Sequence, residues 1–101
     1  MFGRRTNPNA LPLPPLANAD PGAVEVVRVW AAPGAPQQLV INPIWKNPAA
    51  WGLLLVDVAR HAAEAYSEEG FDRAAVLAQI KTAFDAEWGN ATDAPMNLSP
   101  Q

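Results

Sequence analysis

The chain has 101 residues, of which 50% are hydrophobic and 17% charged, with a formal net charge of −3 and no cysteine. This length fits one domain, the apolar content excludes a disordered chain, and the acidic balance provides no basic stripe for nucleic acid. No apolar run approaches the roughly 20 residues that span a bilayer, and without cysteine there are neither disulfides nor thiolate sites. We therefore expect a cytoplasmic protein that binds neither nucleic acid nor membranes.

The first 22 residues are predicted to be a proline-rich N-terminal arm. Nine of the eleven prolines precede Ala49. Proline fixes φ and keeps the preceding residue out of the α region, so residues 1–22 should be extended. We expect the arm to dock on its own domain through Leu11, Leu13 and Leu16. The alternative is that the arm is a peptide ligand for an aromatic groove.

Two strands are predicted after the arm. Residues 23–31, AVEVVRVWA, are rich in β-branched and aromatic side chains and follow the turn signal DPG. Residues 37–42, QQLVIN, form the second strand after the short connection PGAP, which predicts an antiparallel hairpin. The first strand is apolar on both faces and therefore needs cover on both sides.

The first predicted helix spans residues 48–67. Asn47 followed by Pro48 is typical of a helix start, because the amide caps the helix and proline loses nothing at the first position. One apolar stripe recurs at helical spacing and comprises Trp51, Leu55, Val58, Ala62 and Tyr66. Leu53 and Val56 lie on another side, so the first two turns are apolar nearly all round.

The second predicted helix spans residues 73–88. Gly70 should end the preceding helix and Asp72 should cap this one. The predicted buried stripe comprises Val76, Leu77, Ile80, Phe84 and Trp88. Residues 90–101 are predicted to be a loose C-terminal tail.

These elements predict an α+β fold in a single domain over residues 23–89, with a two-stranded antiparallel hairpin followed by two helices. We expect the hairpin to pack on the helices. Because two strands alone are marginal in water, we predict a homodimer that forms through a four-stranded sheet or through helices. In the monomeric alternative, the arm covers the exposed sheet edge. The predicted interface comprises Val27, Val29, Trp45, Leu53 and Val56.

Candidate chemistry is confined to two places in the sequence. Asp57 and His61 are four residues apart and share a helix face, where a carboxylate can orient an imidazole for general-base work. No nucleophile accompanies them, so we favour an exposed helix face with weak Asp57 pairs. Arg28 is a candidate for binding a carboxylate or phosphate, but we favour a structural role, in which it pairs with a helix carboxylate or stacks on Trp30.

The leading hypothesis is a small, non-enzymatic, homodimeric interaction or assembly module, and an unidentified protein is a further candidate partner. The alternative is a small-molecule-binding protein or minor enzyme with a pocket between sheet and helices, whose polar groups would be Arg28, Asp57 and His61. We assign no catalytic residue, no metal site and no cofactor. The sequence contains no GxGxxG, no GxxxxGK[ST] and no HExxH.

Three stretches carry a resemblance to a known family, namely NALPLPPLANADPGAVEVVRVWAA, NPAAWGLLLVDVARHAAEAY and FDAEWGNATDAP. The chain resembles a family of small uncharacterised proteins of about this length, found mainly in alphaproteobacteria and classified as a domain of unknown function. The resemblance extends from about Asn9 to Pro95. It implies a bacterial, cytoplasmic source, and it implies no activity, substrate or cofactor.

Overall fold

The order of the main elements is the predicted one, with two short additions. A computed structural model describes residues 7–90 and the main chain of residues 96–97. The elements in chain order are α1 (Leu16–Ala19), β1 (Val27–Ala32), β2 (Ala35–Ile41), α2 (Ala49–Ser67), α3 (Arg73–Gly89) and β3 (Met96–Asn97). The α+β fold predicted from the sequence, an antiparallel hairpin followed by two helices, is confirmed.

The turn of the β-hairpin is made by proline and glycine. Gly34 has φ +75°, a conformation that costs glycine nothing, and a proline before such a glycine is typical of a type II turn. The register shifts between Trp30 and Ala32, directly before this turn. A type II turn does not match the twist of paired strands, and the shift absorbs that mismatch.

β3 adds a third strand that the sequence analysis did not predict. Met96 and Asn97 pair in parallel with Gln38 and Leu39, which gives the sheet order β1-β2-β3. The segment falls in the predicted tail, and the remaining tail positions after residue 90 lie outside the described residues. Part of the outer edge of β2 is therefore already paired within the chain.

The N-terminal arm runs beside β1, the other edge of the sheet. Residues 9–14, Glu25 and residues 27–32 together line a groove of about 740 Å³. A single helical turn, α1, interrupts the arm after two prolines, which suit the first turn of a helix. The first six residues of the predicted arm lie outside the described residues.

The three leucines through which the arm was expected to dock remain exposed, and Leu11 is 90% exposed. Leu11 and Leu13 line the groove beside β1 without being buried in it. Leu16 lies in α1, against which neither strands nor helices of the described chain pack. The arm therefore adds apolar surface to the outside of the molecule.

α2 begins where the Asn47–Pro48 pair predicts. The side-chain oxygen of Asn47 accepts a hydrogen bond from the Ala49 N–H at 3.0 Å, and its main-chain carbonyl accepts one from the Ala50 N–H. Pro48 stands where a missing N–H costs nothing. Local hydrogen bonding thus fixes the start of the helix.

The connection between α2 and α3 is a Schellman turn. Gly70 has φ +99°, the Phe71 N–H donates to the Tyr66 carbonyl, and the Gly70 N–H donates to the Ser67 carbonyl. The Tyr66 and Phe71 rings meet edge to face with centroids 5.3 Å apart, which is the apolar contact that often accompanies this turn. Asp72 then caps α3 through its carboxylate, as predicted.

α2 and α3 pack closely only near their connection. Ala63 is 1% exposed and Val76 is 8% exposed, and the small alanine side chain allows the helices to approach. Of the predicted buried stripe of α3, only Val76 is buried, whereas Phe84 and Trp88 are exposed. We call α2 and α3 together the helical hairpin. Its side chains are therefore most buried near the connection between the helices and most exposed at the opposite, open end.

The sheet and the helices do not pack on each other within one chain. Among the described residues, no Cα atom of a helix lies within 8 Å of a Cα atom of a strand, so the expected packing of the β-hairpin on the helices is wrong. Residues 42–48, NPIWKNP, connect the two halves, and their two prolines favour extended backbone at the residues before them. The radius of gyration is 15.9 Å, against about 13 Å for a compact domain of this length.

Candidate interaction surfaces

An apolar groove opens between α2 and α3 at the open end of the helical hairpin. We call it the helical groove. It has a volume of about 740 Å³, and its apolar lining includes Trp51, Leu55, Val56, Ile80, Phe84 and Trp88. Two cations, Arg60 and Lys81, also line it. Both side chains are exposed, and the Lys81 ammonium pairs with the Asp85 carboxylate at 2.7 Å.

Aromatic pairs stand on both sides of the helical groove. Trp45, in the connection before α2, meets Trp51 edge to face with ring centroids 5.4 Å apart. On the other side, Phe84 and Trp88 are stacked with centroids 5.4 Å apart, and Trp88 is 77% exposed. A tryptophan exposed to this extent is typical of an anchor that a partner buries.

One face of the β-hairpin carries a cluster of aliphatic side chains. Directly paired residues point to the same side of a sheet, and so do alternate residues of one strand. The register therefore places four side chains together, which we call the apolar sheet face: Val27, Val29, Leu39 and Ile41. Val29 is exposed and the other three are half-buried, and no helix of the described chain covers them.

The five residues of the predicted interface fall into three places. Val27 and Val29 belong to the apolar sheet face, Val56 lines the helical groove, and Trp45 stands at the side of that groove. Leu53 is 72% exposed on α2 but does not line the groove. The interface itself stays a prediction, and four of its five members lie on or beside the two apolar surfaces.

Arg28 pairs with a neighbour in the sequence. Its guanidinium donates two hydrogen bonds to the Glu25 carboxylate, with an Nη2–Oε1 distance of 2.8 Å and an Nε–Oε2 distance of 3.4 Å. Both side chains are about half exposed, so the pair contributes about 1 kcal/mol or less. The expected pairing with a helix carboxylate is wrong, because no helix approaches β1.

Asp57 and His61 lie on the exposed side of α2. The ring Nδ1 of His61 is 2.8 Å from the main-chain carbonyl oxygen of Asp57, and since a carbonyl only accepts, Nδ1 is the donor. Among the ion pairs of the described residues, none joins the Asp57 carboxylate to His61. The structure brings these two residues together, but it leaves Arg28 on the separate sheet.

The described residues form neither a metal-binding cluster nor a membrane-spanning helix. Over residues 7–90, no group of three or more His, Asp or Glu side chains is placed to hold a metal ion. Among the described helices, none combines the length and the apolar character needed to cross a bilayer.

Large apolar side chains remain exposed on both halves of the described chain. Examples are Val29 on the sheet, Leu55 in the helical groove and Trp88 at its open end, with exposed fractions of 51%, 46% and 77%. The fold and these surfaces define a small α+β protein with two uncovered apolar surfaces.

The sequence assigns this protein to a family. The chain belongs to the family described as Domain of unknown function (DUF5076), whose sequence profile matches residues 10–92. The resemblance to a domain of unknown function is thereby confirmed. No curated protein matches the chain.

A solved structure is similar to this chain in both sequence and fold. It is described as "Structure of a putative pyruvate dehydrogenase from the photosynthetic bacterium Rhodopseudomonas palustrus CGA009". The identity is 35% and the TM-score 0.75, and the alignment covers 96% of this chain and 100% of that chain. The similarity therefore includes both the β-hairpin and the helical hairpin.

Proposed function

We propose that this protein is a homodimeric interaction module without catalytic activity of its own, which acts in the cytoplasm and presents its paired surface to a further protein. One observation carries the proposal: the sheet and the helical hairpin leave apolar surfaces uncovered in a single chain. Burial of apolar surface is the main favourable term in association. A second copy is the candidate partner that is available wherever the protein is, at the concentration of the protein itself.

We expect the purified protein to have a solution mass near twice 10.8 kDa. The measurement is light scattering coupled to size exclusion over a series of protein concentrations. The mass should persist at high ionic strength, because salt screens exposed charges but does not weaken apolar contacts. A mass of 10.8 kDa at every concentration would contradict the proposal.

A second candidate function comes from the solved relative, whose description names a pyruvate dehydrogenase. In that case the candidate group is His61, whose ring Nδ1 donates to the main-chain carbonyl of Asp57. The test is incubation of the protein with pyruvate, thiamine diphosphate, Mg²⁺ and NAD⁺, followed by the loss of pyruvate. We expect no loss above that in buffer. Consumption of pyruvate that His61→Ala abolishes would instead establish the enzymatic candidate.

A further inference from the structure

We infer that two copies exchange their helices, so that the helical groove of each copy covers the apolar sheet face of the other. This inference rests on the proposed homodimer and specifies which two surfaces are in contact between the copies. The exchange differs from both dimer arrangements predicted from the sequence, in which the copies join their sheet edges or pair their helices. Four observations support it.

The two surfaces are complementary in chemistry. The apolar sheet face consists of four aliphatic side chains in two facing pairs and carries no charge. The helical groove offers aliphatic and aromatic side chains, with Arg60 and Lys81 at its margin, where they can remain in water while their stems cover apolar surface. The opposite face of the sheet carries the charged side chain of Arg28 and the polar side chain of Gln38, so the apolar sheet face is the one that suits an apolar groove.

The edges of the sheet are less available than its faces. β3 already pairs with part of β2, and residues 9–14 of the arm run alongside β1. A continuous sheet across two copies needs an open edge with unpaired N–H and C=O groups. The structure therefore favours contact through a face over contact through an edge.

The connection between the halves is restricted by two prolines. Pro43 and Pro48 limit the backbone conformations of residues 42–48. Trp45 packs on Trp51, so the end of the connection is attached to the helical hairpin. Since the helical hairpin does not contact its own sheet among the described residues, it is available to cover the sheet of a second copy.

Reciprocal exchange leaves no uncovered copy of either surface. In a twofold dimer each contact occurs twice, so both grooves and both apolar sheet faces are buried at once. Pairing of groove with groove would leave both sheet faces in water, which is unfavourable for large apolar patches. Exchange is the arrangement that accounts for both surfaces together.

The test uses the absence of native cysteine. Val29→Cys places one thiol on the apolar sheet face, and Leu55→Cys places one in the helical groove. The two variants are mixed in equal amounts, unfolded in urea and refolded together, so that mixed dimers form, and a short bismaleimide is added. Each preparation is first checked by light scattering for a mass near twice 10.8 kDa.

We expect a covalent dimer in the mixture, with one peptide from each variant by mass spectrometry, and little product from either variant alone. A mixture of Val29→Cys with Leu53→Cys is the matched control and should give little product, since Leu53 does not line the helical groove. Cross-linking of Leu55→Cys with itself would show groove-to-groove pairing. That result, or dimers without any cross-link, would overturn the exchange and leave the homodimer in place. A monomeric mass would overturn both.

Discussion

A chain with Leu55→Asp should be monomeric at concentrations at which the unaltered protein is a dimer. Leu55 lines the helical groove and is 46% exposed in one chain, so the proposed partner supplies the rest of its burial. An aspartate there would lose its water on association, at a cost of several kcal/mol. We expect the dissociation constant of the dimer to rise by a factor of about 100 or more. Light scattering over a dilution series measures the change.

Leu53→Asp is the matched control for this substitution. Leu53 is two residues away on the same helix, is 72% exposed and does not line the groove, so Leu53→Asp should remain dimeric. Far-UV circular dichroism should show that both variants keep their helices. If Leu55→Asp stays dimeric, or if Leu53→Asp alone dissociates, the helical groove is not the interface.

Ala63→Leu should destabilise the fold by about 1–3 kcal/mol, because extra methyl groups in a closely packed site force the neighbours apart. Ala63 is 1% exposed and lies where α2 and α3 approach each other. A leucine there must separate the helices or adopt an unfavourable rotamer. The measurement is the midpoint of urea unfolding at one fixed protein concentration, converted with a common slope.

Ala65→Leu provides the comparison for that change. Ala65 is on the same helix but exposed, and leucine is nearly as good a helix former as alanine. Its unfolding free energy should therefore stay within about 0.5 kcal/mol of the unaltered protein. An equal effect of both substitutions would contradict the view that the helical hairpin is held at Ala63.

The features that could be predicted from the sequence are those that neighbouring residues determine. The starts of α2 and α3 depend on the side chains of Asn47 and Asp72, which bond to N–H groups two and three residues ahead. The connection depends on Gly70 and on hydrogen bonds that reach back at most five residues. The residues that determine each of these features lie within five positions of one another in the sequence.

The features that could not be predicted depend on distant parts of the chain. Phe84 and Trp88 have the helical spacing of buried residues, yet they line an open groove, because spacing specifies a face and not what covers it. The pairing of β3 with Gln38 and Leu39 joins segments more than fifty residues apart. Likewise, Arg28 was expected to pair with a helix carboxylate or to stack on Trp30. Because the two halves are separated, no helix carboxylate is near it, and it pairs with Glu25.

The separation of the halves has a consequence for how the chain folds. The β-hairpin and the helical hairpin each join elements adjacent in the sequence, and contacts of such low order form within microseconds to milliseconds. In the proposed dimer, burial of the helical groove and the apolar sheet face requires a collision between two copies. Folding of that dimer would be divided into fast first-order steps and one second-order step, and the rate of the last step would depend on the concentration of the protein.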